Sequence, residues 1–201
     1  MQIGRPASEP WDIPAVAMSV LGLVSGILSA LVGIDGFESD QLEPVGALFW
    51  LDPAMLPVGL FFGAVVAAGV FIWGTRRLWA IPVVLLVTMY AWSAAINSAV
   101  AIHKFGDTPF NKGTLVLACL VSGALGAAIT QMGAALFVAS LRRPLMFLLT
   151  TVVGAIAGLM LYLDQAKVLD IGFLFVVWQA AVAAAIGAGF PPSRLVAALQ
   201  A

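Results

Sequence analysis

Residues 142–167 read RRPLMFLLTTVVGAIAGLMLYLDQAK, and the fold follows from the pattern they contain. Between the arginine pair and Asp164, residues 144–163 carry no charged side chain. A helix that crosses the hydrocarbon core of a bilayer needs about 20 such residues. The stretch therefore predicts a transmembrane helix with a basic flank at one end and Lys167 beyond the other.

Further runs of the same kind occur along the chain, and together they give six predicted spans: 13–34, 56–74, 78–102, 113–141, 144–163 and 171–190. These runs are apolar on all sides, whereas the strands of a membrane barrel alternate apolar and polar residues. A helix satisfies the backbone hydrogen bonds of such a segment internally. We therefore predict an all-α integral membrane protein, with residues 1–201 forming one polytopic domain of six transmembrane helices.

The composition agrees with this class. The chain is 62% hydrophobic and 9% charged, against roughly 25% charged residues in an ordinary soluble domain. Its net charge of −1 and the lack of a basic stripe give no argument for nucleic acid as a partner. The single cysteine, Cys119, lies in the fourth run, so the sequence predicts neither a disulfide framework nor a metal-binding cysteine pair.

The basic residues predict the orientation. If six helices cross the membrane, all arginines fall on one face and all lysines on the other. The arginines are Arg5, Arg76, Arg77, Arg142, Arg143 and Arg194, and the lysines are Lys104, Lys112 and Lys167. The positive-inside rule then places the arginine face, with both termini, in the cytoplasm. We expect a multi-pass protein of the plasma (inner) membrane.

The longest predicted outer connection, residues 35–55, is acidic. It contains Asp35, Glu38, Asp40, Glu43 and Asp52. Carboxylates can bind a divalent cation, but the spacing of a calcium-binding EF-hand loop is absent. We expect a solvated acidic loop and no metal site.

The predicted first, third and fifth spans begin at Ile13, Leu78 and Pro144, which are 65 and 66 residues apart. This spacing is consistent with three similar helical hairpins. It is also consistent with the independent preferences of Trp for the membrane interface and of Pro for the first helical turn.

Small residues recur at four-residue intervals in three of the spans: Gly22 and Gly26, Gly59 and Gly63, and Gly154 and Gly158. Such faces let helix backbones approach closely, which matters in lipid because no hydrophobic force drives helices together. We expect these glycines to pack helices within the bundle. A seam between subunits is the alternative.

Polar residues inside the spans predict a site near the middle of the membrane. Ser25, Tyr90 and Gln179 lie about 12 residues from the cytoplasmic boundary, or about 18 Å at 1.5 Å per residue, and Gln131 lies slightly nearer. These groups should face the bundle interior, because unpaired amides are costly in hydrocarbon. We predict a midplane pocket for a small neutral or aromatic solute, lined by Tyr90, Trp92, Ser93, Gln131, Trp178 and Gln179. The alternative is that the polar groups bond to one another as structural links.

The predicted spans contain no charged residue or histidine in their interiors, and His103 falls at an outer end. Ion-coupled carriers usually place an ionisable group within the membrane, and nucleophilic catalysis needs a base beside the nucleophile. The sequence therefore favours a protein that is not an enzyme and carries no cofactor.

In size and topology the layout resembles the substrate-binding subunits of energy-coupling-factor vitamin transporters. The resemblance implies a small helical bundle that binds a solute while a separate partner hydrolyses ATP. Our first hypothesis is accordingly an inner-membrane transport component. The second is an assembly or scaffold subunit whose glycine faces bind partner helices. The expected partners are the lipid bilayer and either another membrane subunit or further copies of the chain.

Overall fold

The computed structural model describes residues 12–37, 56–105 and 112–191, and these form helices without any strand. The elements are α1 (Asp12–Phe37), α2 (Leu56–Gly69) with a following π-helical turn (Val70–Gly74), α3 (Ala80–Phe105), α4 (Lys112–Ala135), a 3-10 turn (Ala139–Arg142), α5 (Pro144–Gly158), α6 (Met160–Gln165) and α7 (Gly172–Ala188). The prediction of an all-α fold is confirmed.

Five segments of the described chain are long and apolar enough to cross a membrane. They are Ile13–Val32, Leu56–Gly74, Ala80–Ile102, Gly113–Ala135 and Pro144–Gln165. The sixth apolar helix, α7, has 17 residues, which at 1.5 Å per residue is about 25 Å, against about 30 Å of hydrocarbon. More than half of its residues are buried, so α7 is largely enclosed by the other helices.

The fourth helix is shorter than the sequence predicts. The prediction was 113–141, but α4 ends at Ala135, and a 3-10 turn covers the last part of the predicted span. The reason is a cap by a basic side chain, which hydropathy does not register. The Arg142 guanidinium donates to the carbonyl oxygens of Ala135 at 2.8 Å and Leu136 at 2.9 Å. Ala135 is the last residue of α4 and Leu136 follows it, so the guanidinium caps the end of the helix, where carbonyls lack partners within the helix.

The predicted fifth span, 144–163, is divided. α5 ends at Gly158, and α6 begins at Met160 after a tighter turn in which the Leu159 amide donates to the Ile156 carbonyl. Gly158 lies close to α4, where an added Cβ would be 2.5 Å from the Cys119 carbonyl oxygen. The break therefore falls where the backbones of α4 and α5 are in contact.

The described helices close into a ring. Each of α1 to α4 packs on the next, α5 packs on α7, and α7 returns to α1 with the most extensive contact among the described helices. The three predicted hairpins therefore join neighbouring helices, but the largest interface lies between the first helix and the last. The antiparallel course of α1 and α7 is shown by Gly22, which faces Ala183, and Gly187, which faces Ala15.

The two described arginine pairs lie at the same end of the ring, called here the arginine end. The connection after α2 carries Arg76 and Arg77, and the turn before α5 carries Arg142 and Arg143. Gly74 packs against Val138, so the two connections are neighbours. Lys167 follows α6 at the opposite end, called here the lysine end.

In the half of the bundle nearer the arginine end, called here the arginine half, the interior is filled largely by apolar side chains. Buried members of this core are Met18, Val66, Val70, Val84, Val138, Leu141, Ile186 and Phe190. Trp73 stacks on Phe190 at 6.0 Å between ring centroids, and Trp79 meets Phe137 edge-on at 4.9 Å. Large side chains thus close this end of the bundle.

Some of the sequence predictions concern residues outside the described ranges. These are the terminal arginines Arg5 and Arg194, and the acidic residues of the first outer connection that follow Phe37.

A candidate binding cavity

All six glycines predicted to pack helices face another helix of the same chain. A Cβ added at Gly26 would lie 2.5 Å from the Val176 Cα in α7, and the equivalent atom at Gly22 would meet the Gln179 carbonyl oxygen. Real Cβ atoms essentially never approach so closely, so α1 and α7 are in direct backbone contact.

The other two glycine pairs pack against α3 and α4. A Cβ added at Gly59 would lie 2.9 Å from the Met89 Cα, and one added at Gly63 would meet Leu85, both in α3. A Cβ added at Gly154 or at Gly158 would lie 2.6 Å from the Gly123 carbonyl oxygen or 2.5 Å from that of Cys119, both in α4. The small-residue faces are therefore covered by the chain itself.

Gln179 links α7 to α1. Its Oε1 accepts a hydrogen bond from the Ser25 hydroxyl at 2.5 Å, and its Nε2 donates to the Ser29 hydroxyl oxygen at 2.9 Å. Gln179 and Ser29 are fully buried, and Ser25 nearly so. The oxygen and the nitrogen of the amide are therefore both hydrogen-bonded, at the same α1–α7 interface as the glycine contacts.

Gln131 makes a second, separate link. Its Nε2 donates to the Leu141 carbonyl oxygen at 3.0 Å, and its Oε1 accepts from the Thr150 hydroxyl at 3.3 Å. The amide therefore fastens the 3-10 turn and α5 to α4. Gln131 and Thr150 are both fully buried.

An aromatic cluster lies at mid-depth in the centre of the ring. It comprises Phe62, Trp92, Phe175 and Trp178. Trp178 lies edge-on to Phe62 at 5.3 Å and to Trp92 at 6.0 Å between centroids, and Trp92 lies 5.5 Å from Phe175. Three helices thus contribute rings to one central layer.

Above this aromatic cluster, toward the lysine end, the structure contains a cavity of about 250 Å³. Trp92 and Trp178 form its floor. Its walls are small or aliphatic side chains of α3, α4, α5, α6 and α7: Ala95, Ile96, Ala99, Val100, Leu115, Ala118, Ser122, Gly123, Gly158, Leu161 and Leu174. Gln165, which is exposed, stands at its other end. The cavity therefore extends from mid-depth toward the lysine end of the bundle.

The structure divides the six residues predicted to line a pocket. Trp92 and Trp178 line the cavity. Gln131 and Gln179 are not among its lining residues, because their amides hold the interfaces just described. Tyr90 and Ser93 also lie outside the lining, and the Ser93 hydroxyl accepts from the Asn97 amide at 3.4 Å.

The remaining wall residues were not predicted, because most of them are apolar and the predicted pocket was defined by polar and aromatic groups. Ala95 and Ala99 are four residues apart on α3, and Ala118 and Ser122 are four apart on α4. Side chains at this spacing lie on one helix face. Two faces of small residues that are directed at the same interior position leave space between the helices. The small size of these side chains was therefore the feature of the sequence that could have indicated the cavity.

The lining is polar at few points, and none of its residues carries a charge. The Ser122 hydroxyl donates to the Cys119 carbonyl oxygen at 3.1 Å, and the Trp178 indole N–H donates to the Gly123 carbonyl oxygen at 3.4 Å. Within the described residues no cluster of three or more His, Cys, Asp or Glu side chains is placed to hold a metal ion. The chemistry that this cavity offers is apolar contact, aromatic faces and a few hydrogen bonds.

No protein-family model, curated protein or solved structure matches the chain.

Proposed function

We propose that this protein is a membrane-embedded binding component, in a transport system, for a small uncharged ligand held in the cavity above Trp92 and Trp178. The observation that carries the proposal is the cavity itself, which has an aromatic floor and walls without charge. Ligand sites are typically concave, mostly apolar and provided with a few polar groups.

The volume limits the ligand. A cavity of about 150 Å³ accepts benzene, and sites for drug-sized ligands begin at about 300 Å³. At about 250 Å³ the cavity suits a molecule of one or two rings. An ion would lose its hydration without gaining a counter-charge from the lining, so a charged ligand is disfavoured.

The scaffold hypothesis assigns the three glycine faces to partner helices. In the structure these faces contact α7, α3 and α4 of the same chain. A partner helix would have to displace those helices to bind there. We therefore prefer ligand binding to scaffolding.

We further propose that six helices, including α7, cross the plasma membrane with the arginine end in the cytoplasm. Support comes from the four arginines grouped at one end, which the positive-inside rule places inside. In this orientation the cavity faces the outer leaflet, and the packed core of the arginine half separates it from the cytoplasm. That arrangement suits capture of a ligand from the outer side.

Cysteine labelling tests the orientation. A cysteine at Ala166, exposed at the lysine end, should react with a membrane-impermeant maleimide on intact cells, whereas one at Ala139, exposed at the arginine end, should react only after permeabilisation. Ala166 is preferred to Lys167 because the φ of Lys167 is 60°. The wild-type protein is the control, since its Cys119 is fully buried. The reverse pattern of labelling would contradict the proposed orientation.

Native mass spectrometry of protein released gently from its own membrane tests ligand binding. We expect a small uncharged molecule to remain bound to the wild type and to be lost from Ala118→Phe, because the phenyl ring would fill the cavity. Ala64→Phe adds the same bulk at an exposed position of α2 and should keep the molecule. A protein partner retained without any small molecule, in all three proteins, would support the scaffold hypothesis instead.

A further inference from the structure

One buried polar atom of a residue that lines the cavity has no hydrogen-bond partner. Trp92 lines the cavity and is 7% exposed, and its indole Nε1 is buried without an acceptor. The other floor residue differs, because Trp178 already donates its N–H to the Gly123 carbonyl. A buried donor left unpaired is unfavourable, so the Trp92 nitrogen has the most to gain from a ligand.

A second buried polar atom without a partner belongs to the same helix. The Thr88 hydroxyl is buried without a partner, and Thr88 precedes Trp92 by four residues, which places both on one face of α3. By contrast, the buried amides of Gln131 and Gln179 are bonded at both ends. Of these two α3 residues with an unpartnered polar atom, Trp92 lines the cavity and Thr88 lies one turn further along the helix, outside the lining.

We propose that the ligand is an uncharged ring compound that carries a hydrogen-bond acceptor, such as a ketone carbonyl, and that this acceptor receives the Trp92 indole N–H. The inference rests on the proposed function and specifies its ligand class. An indole N–H can only donate, so the ligand must supply the acceptor. Neighbouring side chains cover Nε1 in the structure, so the indole must turn toward the ligand in order to donate its N–H. Side-chain rotamer changes of this kind are common on binding.

The test uses two probes of similar shape. Acetophenone has a carbonyl acceptor, and ethylbenzene replaces it by a methylene group. Binding of each probe is measured by equilibrium dialysis against the full-length protein in nanodiscs, with protein-free nanodiscs subtracting the uptake by lipid. The quantity compared is the ratio of the two dissociation constants, in the wild type and in variants.

Trp92→Phe should weaken acetophenone binding about tenfold more than ethylbenzene binding, since only acetophenone loses a hydrogen bond. Trp178→Phe removes a similar ring area, but its N–H is already donated, so the ratio should stay at the wild-type value. Trp73→Phe, at the arginine end, controls for the loss of an indole outside the cavity. An unchanged ratio in folded Trp92→Phe would overturn the inference.

A measurement on the wild type alone avoids any dependence on variant folding. The infrared carbonyl stretch of bound acetophenone should lie at lower frequency than in hexane, because a hydrogen bond weakens the C=O bond. A bound carbonyl that absorbs as in hexane would refute the hydrogen bond while leaving the cavity as a binding site. Failure of both probes to bind would count against the proposed function itself.

Discussion

Gly26→Leu should prevent α1 from packing on α7, and with it the folding of the bundle. An added Cβ would lie 2.5 Å from the Val176 Cα and 2.7 Å from the Phe175 carbonyl oxygen, and both are backbone atoms that no rotamer change can move. The two helices must separate along their whole contact. This separation also breaks the two hydrogen bonds that join Gln179 to Ser25 and Ser29. Overpacking a core costs about 1–3 kcal/mol, and we expect more than about 3 kcal/mol here because packing and hydrogen bonds are lost together.

The measurement is the yield of monodisperse protein in mild detergent, followed by its thermal unfolding. Val24→Leu is the matched control, since Val24 lies on the exposed face of the same helix and is 49% exposed. The control should give wild-type yield and melting temperature. A Gly26→Leu protein that melts with the wild type would mean that α1 and α7 are not in backbone contact.

The positions of the helices could be predicted from the sequence because long, uninterrupted apolar runs of about 20 residues favour helices. The second predicted span, 56–74, coincides with α2 and its π-helical turn, and the sixth, 171–190, contains α7. The errors arise where a specific side chain or backbone contact ends a helix. The Arg142 cap stops α4 at Ala135, and the break at Leu159 divides α5 from α6.

The candidate site could be predicted only in part, because the distance of a residue from the end of its span does not determine which neighbour it faces. Gln131 and Gln179 were placed in one layer by their distance from the boundary. In the ring, Gln179 faces α1, whereas Gln131 contacts α5 and the 3-10 turn. The direction of each side chain depends on helix order, and no single span contains that information.

The cavity was harder still to predict, because it forms where several helices lack large side chains. Ala99 on α3 and Ala118 on α4 look like ordinary packing residues in the sequence, as do the glycines that close the other interfaces. Small residues let backbones approach where two faces meet directly. Where small residues of several helices surround one interior position, they leave space instead. Close packing and a cavity can therefore be told apart only in the assembled ring.

Gln179→Leu separates a structural role of the buried amides from a binding role. The sequence analysis predicts that Gln179 lines the pocket, and a residue in that role would be needed for ligand binding. In the structure the substitution would instead remove the partners of Ser25 and Ser29 and leave the cavity lining unchanged. Hydrogen bonds between membrane helices average about 0.6 kcal/mol, and a buried group left unpaired costs about 1–3 kcal/mol. With two hydroxyls affected, we expect a loss of about 2 kcal/mol.

That loss should appear as a lower melting temperature in detergent, with acetophenone binding at 25 °C within twofold of the wild type. Ser25→Ala with Ser29→Ala in the Gln179→Leu background supplies the control. Removing the stranded hydroxyls should restore part of the stability, since replacing all members of a buried polar group by apolar ones is less costly than removing one. If Gln179→Leu kept full stability but lost acetophenone, the amide would be a ligand contact, and the binding site would have to lie between α1 and α7.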